Sequence, residues 1–357
     1  MNDMNADDRW MRRCLQLARN GAGHVAPNPM VGSVLVQREG ILAEGWHRLH
    51  GGPHAEVECL RAFGDGPIPD DATLFVNLEP CAHHGLTPPC IDLVIARELK
   101  SLVIGCADPN PLTREKKGIA RAREAGVHLR VDILQDECRW LNRRFITSFE
   151  KQRPYVILKW AQSADGFLDQ RPRSSRSVQR ITTPTTDALV HAWRAEEQAI
   201  LVGSRTALND DPMLNVRHVE GRSPLRVLID RTGLAPMRSH LFVDGGRTLL
   251  VTAAPRQDVE CDQLIIEPGA DPIGALLAEL HRRAIRSLLV EGGAGLLGHF
   301  IRGEVWDEAR VITGTAMFGH GTIAPVLGGD PFHRVTSGAD RIAFHLRQPT
   351  PAATWTQ

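Results

Sequence analysis

Net charge is missing from this chain: Lys+Arg and Asp+Glu both total 42 over 357 residues. Without a bulk positive field to attract a phosphodiester backbone, a nucleic-acid partner is disfavoured and a small-molecule substrate is expected. No apolar run approaches the ~20 residues of a membrane span. The first residues, Met1 to Asp8, are polar and acidic and lack the apolar core of a secretory signal. A soluble, cytoplasmic protein without a membrane partner is the expectation. Seven cysteines is an odd number, unlike a secreted disulfide framework, so Cys14, Cys59, Cys106, Cys138 and Cys261 should be reduced and mostly structural. Sequence repeats and low-complexity tracts are also absent. The length and the 42% hydrophobic content suit two globular domains.

Against that background, His54-Ala55-Glu56, then Pro80-Cys81, then Cys90 form the strongest chemical signal. One imidazole and two thiolates can hold zinc and leave a fourth position for a water that the metal acidifies. A carboxylate that does not bind the metal can then move protons, as displacement of an amino group from a pyrimidine carbon requires. The general zinc-deaminase signature is H-x-E followed by P-C-x-x-C, whereas eight residues, Ala82 to Pro89, separate the cysteines here. That segment is rich in turn formers and can loop back to deliver Cys90 at the start of a helix. His83 and His84 are alternative ligands, or pocket-lining residues. Helical periodicity after Gly52-Pro53 places Glu58 on the face of His54, so it favours Glu58 as the proton carrier; the H-x-E pattern favours Glu56.

Strand-like and helical runs alternate throughout, which reads as α/β in both halves. A helix bearing Trp10, Cys14 and Leu17 precedes a hairpin over Val31–Val36 and Ile41–Trp46; strands Thr73–Leu78 and Ser101–Gly105 alternate with the His54 and Cys90 helices. The polar, charged stretch from about Leu141 to Pro154 marks a boundary, with domains at 1–149 and 150–357; a solvated surface helix is the other reading. Beyond it, a strand at Tyr155–Trp160 opens a second series that includes Ala199–Gly203, Leu225–Asp230 and Ser287–Glu291.

Two fragments in this second half suit a nucleotide cofactor. Strand Ser287–Glu291 runs into a G-x-G-x-x-G match at Gly293, Gly295 and Gly298, where backbone N–H groups at a helix start can meet a pyrophosphate. The same pattern also arises as a plain strand-to-helix turn. Leu201-Val202-Gly203-Ser204-Arg205-Thr206 resembles the G-x-[RK]-T turn of dihydrofolate reductases, with Thr206 and Arg205 or Arg231 available for cofactor phosphates.

Taken together, Pro27-Asn28-Pro29-Met30-Val31-Gly32, His54-Ala55-Glu56-Val57, Leu78-Glu79-Pro80-Cys81-Ala82-His83-His84-Gly85, Thr87-Pro88-Pro89-Cys90, Asp108-Pro109-Asn110-Pro111, Ser163-Ala164-Asp165-Gly166, Asn209-Asp210-Asp211-Pro212 and Val290-Glu291-Gly292-Gly293 resemble the bifunctional riboflavin-biosynthesis deaminase/reductase family. The resemblance spans nearly the whole chain. It implies a cytidine-deaminase-like three-layer αβα domain followed by a dihydrofolate-reductase-like α/β domain, with zinc and NADPH as cofactors. The first would deaminate 2,5-diamino-6-(5-phosphoribosylamino)pyrimidin-4-one; the second would reduce the ribosyl chain of the product to give 5-amino-6-(5-phosphoribitylamino)uracil. By motif, the resemblance makes His54, Cys81 and Cys90 the zinc ligands and Glu56 the proton shuttle. It places Gln162, Arg180, Thr206, Asp210, Arg231 and Gly293, Ala294, Gly295, Leu296, Leu297, Gly298 and His299 at the cofactor. Asn28, Lys159, Leu214, Arg217 and Glu291 fall at the substrate, and a homo-oligomer is expected.

One segment departs from the family. Where S-x-W-I-[TS] is usual, this chain has Val178-Gln179-Arg180-Ile181-Thr182, with Arg173, Arg176 and Ser177 nearby as possible compensation. An active deaminase with a degenerate reductase is therefore the alternative. A base editor of the tRNA-deaminase type is a third reading, opposed by the balanced charge and the reductase-like half.

Overall fold

A computed structural model describes residues 6–173 and 179–350. The chain forms two compact units, Met1–Lys151 and Gln152–Gln357. The division falls just past 149/150 because the helix Arg143–Lys151 continues across that position. This helix occupies the charged stretch that reads as a break in sequence; its Phe145 and Ile146 are buried while its charged residues lie on other faces.

The first unit is built on five strands in the order Gly40–Trp46, Gly32–Gln37, Ala72–Val76, Ser101–Ile104, His128–Arg130. The first two pairings are antiparallel and the last two parallel. Helices lie close on both faces. A Cβ on Gly32 would sit 2.2 Å from the carbonyl oxygen of Cys14, in the helix Ala6–Arg19, and one on Gly45 would sit 2.3 Å from the amide nitrogen of Cys59, in the helix Ala55–Phe63. Gly45 pairs with Ser33, one residue along from Gly32, so strand pleating places these contacts on opposite faces. The result is three layers, α/β/α.

The second unit has nine strands in the order Asp262–Ile265, Thr248–Thr252, Leu225–Ile229, Ala199–Gly203, Ser287–Val290, Tyr155–Gln162, Glu308–Thr313, Asp340–Leu346, His333–Ser337. The first six pairings are parallel and the last two antiparallel. Ser287–Val290 is buried at every residue, the apolar run expected of a strand covered on both faces. Ser287–Val290 and Ala199–Gly203 are neighbours, and each runs at its C-terminal end directly into a turn and a helix. Open α/β sheets form their ligand clefts at such ends. The pair Phe167–Gln170 and Gly321–Ile323 forms a small separate ribbon; both strands are too short and too polar to stand out in sequence.

Candidate active sites

His54 is the N-cap of the helix Ala55–Phe63 and has extended backbone angles (φ −76°, ψ 166°). Its side chain is therefore not bound by helical periodicity. Glu58, favoured by that periodicity, turns to the surface and pairs with Arg48 at 3.3 Å and Arg61 at 3.7 Å. Glu56 points the other way, is 3% exposed and lines a pocket of about 290 Å³ together with His54 and Cys81.

Cys81 follows the strand Ala72–Val76 in a loop, and Cys90 begins the helix Cys90–Ala96. The intervening loop doubles back so that the Cys90 N–H donates to Cys81 Sγ at 3.3 Å and the Ile91 N–H donates to the Cys81 carbonyl at 3.2 Å. His54 Nδ1 then lies 3.5 Å from Cys81 Sγ and 3.3 Å from Cys90 Sγ. Zinc bond lengths and tetrahedral angles require an N···S separation of ~3.6 Å. The three ligand atoms all lie within 4.8 Å of one another, so the set fits a zinc ion. His54 Nε2 lies 3.5 Å from Thr87 Oγ1, an outer partner that holds the ring with Nδ1 toward the sulfurs. The Cys90 thiol donates to Cys81 and draws it toward thiolate, and burial pushes the Glu56 carboxyl up toward its protonated form.

Asn28 lines the same pocket and is clamped by a residue that carries no sequence motif. His47 Nδ1 donates to the Pro53 carbonyl at 2.8 Å, leaving Nε2 to accept from Asn28 Nδ2 at 3.1 Å. His83 lines the pocket near Thr113, at 3.4 Å; His84 is not among the lining residues. Glu79 and Asp108, from quoted motifs without an assigned role, also face it: Glu79 accepts from the Asp108 N–H at 3.2 Å, and Asp108 accepts from Thr113 Oγ1 at 2.7 Å.

The second unit holds a cleft of about 1110 Å³. Its two turn fragments meet there. The Glu291 N–H donates to the Leu201 carbonyl at 2.9 Å, and a Cβ on Gly293 would lie 3.7 Å from Thr206 Oγ1. Gly293 caps the helix Ala294–Arg302, in which Leu297 is the first residue whose N–H reaches back to Gly293. The N–H groups of Ala294, Gly295 and Leu296 are thereby left without intrahelical partners beside the Thr206 hydroxyl, a donor set that fits a cofactor phosphate.

Other expected cofactor residues divide. Arg180, Asp210, Arg231 and His299 line the cleft. Leu297 is fully buried in the core, Gly298 faces Arg302, and neither lines it, because successive helical residues turn away from the N-terminal opening. Gln162 is also outside the lining and accepts from Trp160 Nε1 at 2.9 Å. Asp210 pairs with Arg173 at 2.7 Å, and Arg180 with Asp187 at 2.9 Å. Arg176, Ser177 and Val178 lie outside the described residues.

At the substrate side, Glu291 accepts from Arg194 Nε and Nη2, both at 2.8 Å, and from Lys159 Nζ at 3.3 Å. Burial alone would raise the Glu291 carboxyl; Arg194 and then Lys159 outweigh it and hold the group well below the usual carboxylate range. Leu214 is buried with φ +53°, and Arg217 donates to Asn215 Oδ1 at 2.9 Å. Arg194 and His191 line the cleft from the helix Pro184–Glu196 and escape motif reading. Their i, i+3 spacing on an amphipathic helix was the available signal.

Comparison with known proteins agrees with this arrangement. Residues 4–106 match the cytidine and deoxycytidylate deaminase zinc-binding region, and residues 154–342 match the RibD C-terminal domain. The chain is 35% identical to riboflavin biosynthesis protein RibD of Synechocystis (98% of this chain, 95% of that one) and 35% identical to RibD of Aquifex aeolicus (90% of each). It superposes on a Thermotoga maritima diaminohydroxyphosphoribosylaminopyrimidine deaminase/5-amino-6-(5-phosphoribosylamino)uracil reductase with a TM-score of 0.82 at 33% identity, covering 95% of this chain and 97% of that one. For Acinetobacter baumannii RibD the values are 0.85 and 30%, covering 95% and 98%. The chain belongs to the RibD family of bifunctional riboflavin-biosynthesis enzymes, which join a zinc-dependent deaminase domain to an NADPH-dependent reductase domain.

Proposed function

We propose that the first unit deaminates 2,5-diamino-6-(5-phosphoribosylamino)pyrimidin-4-one and that the second unit reduces the ribosyl chain of the product to a ribityl chain. The observation that carries the reading is the convergence of His54, Cys81 and Cys90 beside the buried Glu56.

His54 Nδ1 and the sulfurs of Cys81 and Cys90 would hold zinc. When bound, the metal supplies Lewis acidity and a nucleophile at neutral pH. Glu56, raised in pKa by burial, carries the two hydrogens of the attacking water one after the other at a carboxylate oxygen, delivering the first to the ring nitrogen and the second to the departing amino nitrogen. Asn28, held by His47 through its amide nitrogen, orients the heterocycle through its side-chain carbonyl oxygen. In the second unit, NADPH supplies the reducing equivalent. Thr206 and the N–H groups of Ala294, Gly295 and Leu296 bind its phosphates, with Arg231 and Asp210 on the cleft wall. Glu291 holds Lys159 beside the sugar, where Nζ supplies the proton that the reduced oxygen needs, and Arg217 meets the substrate phosphate.

No feature of the described residues favours a degenerate reductase. Incubation with the diaminopyrimidine substrate and NADPH should release ammonia and oxidise NADPH in equal amounts. Ammonia without NADPH consumption would leave a deaminase alone, and neither would remove the reading. The same reading includes a cytoplasmic homo-oligomer. No helix among the described residues is long and apolar enough to cross a membrane, and solvent-facing Ile41 and Leu42 lie on the edge strand Gly40–Trp46. Sedimentation at the mass of one chain would exclude the oligomer.

A further inference from the structure

His191 is 3% exposed and lines the reductase cleft beside Arg194 and Arg217. The backbone N–H of Arg217 approaches its Nδ1 at 3.2 Å. A backbone amide can only donate, so Nδ1 is an unprotonated acceptor, and in the neutral ring the proton must sit on Nε2. Among the described residues, the polar neighbour of Nε2 is Arg194 Nη1 at 3.5 Å, itself a donor. The two donors meet at that distance and neither can satisfy the other. The other guanidinium nitrogens of Arg194 are committed to Glu291, at 2.8 Å each, and Nη1 donates to the Asn215 carbonyl at 3.4 Å, which leaves its second N–H without an acceptor among the described residues. Burial, the flanking guanidinium groups of Arg194 and Arg217, and the neighbouring His218 ring push the imidazole down to about 4 and keep the ring neutral, with Glu291 opposing them. Asp187, the nearby acid on the same helix, is occupied by Arg180 and Thr182.

We propose that His191 is a substrate-binding residue of the reductase: its Nε2–H, together with Arg194 Nη1 and the Arg217 guanidinium, completes a donor cluster for the phosphate monoester of the phosphoribosyl substrate. The inference rests on the substrate reading above. A phosphate monoester also occurs at the 2′ position of NADPH, so cofactor affinity is the arm that separates the two sources.

Two substitutions divide the ring into its functions. His191→Asn places an oxygen near Nδ1 and keeps the bond to the Arg217 N–H, but removes the outer donor. His191→Gln places an amide donor near Nε2 and gives up the loop bond. With 5-amino-6-(5-phosphoribosylamino)uracil, His191→Asn should raise KM about 10- to 100-fold, the range of a hydrogen bond to a charged group, with kcat little changed. KM for the dephosphorylated ribosyl compound and the Kd of NADPH should stay at wild-type values, and His191→Gln should recover most of the lost affinity. The role is overturned if His191→Asn keeps the wild-type KM, or if it loses equally toward the phosphorylated and dephosphorylated compounds. Weakened NADPH binding with unchanged substrate KM would assign the donor to the cofactor and also refute it. A wild-type enzyme that fails to oxidise NADPH with this substrate would instead refute the substrate reading on which the role depends.

Discussion

His54 Nδ1 stands 3.3 Å from Cys90 Sγ, although 36 residues separate them in sequence. The approach depends on the N-cap position of one helix, the first residue of another and the loop that folds Cys81 between them. Glu56 is the carboxylate that this geometry turns inward, and Glu58 is the one it turns outward.

Glu56→Gln should therefore retain zinc and lose deamination by about 10²- to 10⁴-fold, the usual contribution of a positioned general acid–base. Glu58→Ala removes only surface ion pairs and should stay within a few-fold of wild type. Elemental analysis and ammonia release measure both; an active Glu56→Gln with an inactive Glu58→Ala would reverse the assignment. Cys81→Ala should lose metal and deamination together.

Because the three residues that would hold zinc, His54, Cys81 and Cys90, all belong to the first unit, chelation should separate the two steps. Treatment with a zinc chelator should abolish ammonia release while NADPH oxidation continues with already deaminated substrate. Loss of both activities at the same chelator concentration would link the reductase to the metal.

Glu291 gives the second unit a specific acid sensitivity. Its folded-state carboxyl is held well below the ordinary 4.5, so its contribution is fully present above that pH and is lost as pH falls below it. Glu291→Gln leaves Lys159 and Arg194 buried without their anion and should cost about 3 kcal/mol near neutrality. Urea unfolding should show the gap between wild type and variant narrowing as pH drops below about 4.5. A pH-independent gap would contradict this.

Gly32→Ala should destabilise the first unit by about 2 kcal/mol or more, since its Cβ would lie 2.2 Å from a helix carbonyl that cannot move alone. Gly66→Ala, where the added carbon meets nothing within 4 Å, is the matched control and should be neutral. Thermal unfolding of the two variants compares them directly.

Much of the fold was legible because apolar runs and turn residues carry their own period. Strands such as Ala199–Gly203 and Ser287–Val290 announce themselves as short buried runs. The helix Arg143–Lys151 did not, because its charged exposed faces mask a narrow apolar stripe. Periodicity also pointed to Glu58, for His54 lies just outside the helix to which the 3.6-residue rule applies.

By itself, the sequence determined the donor types: one imidazole and two sulfurs for a metal, one carboxylate for protons, and a glycine turn for an anion, all chemistry carried within single motifs. Only the tertiary structure decided which carboxylate enters the pocket, that Leu297 and Gly298 turn away from the cleft, and that His47 and Arg194 stand behind Asn28 and Glu291. Those choices depend on close approaches between segments far apart in the chain, and a local pattern holds no information about the distance between such segments until packing brings them together.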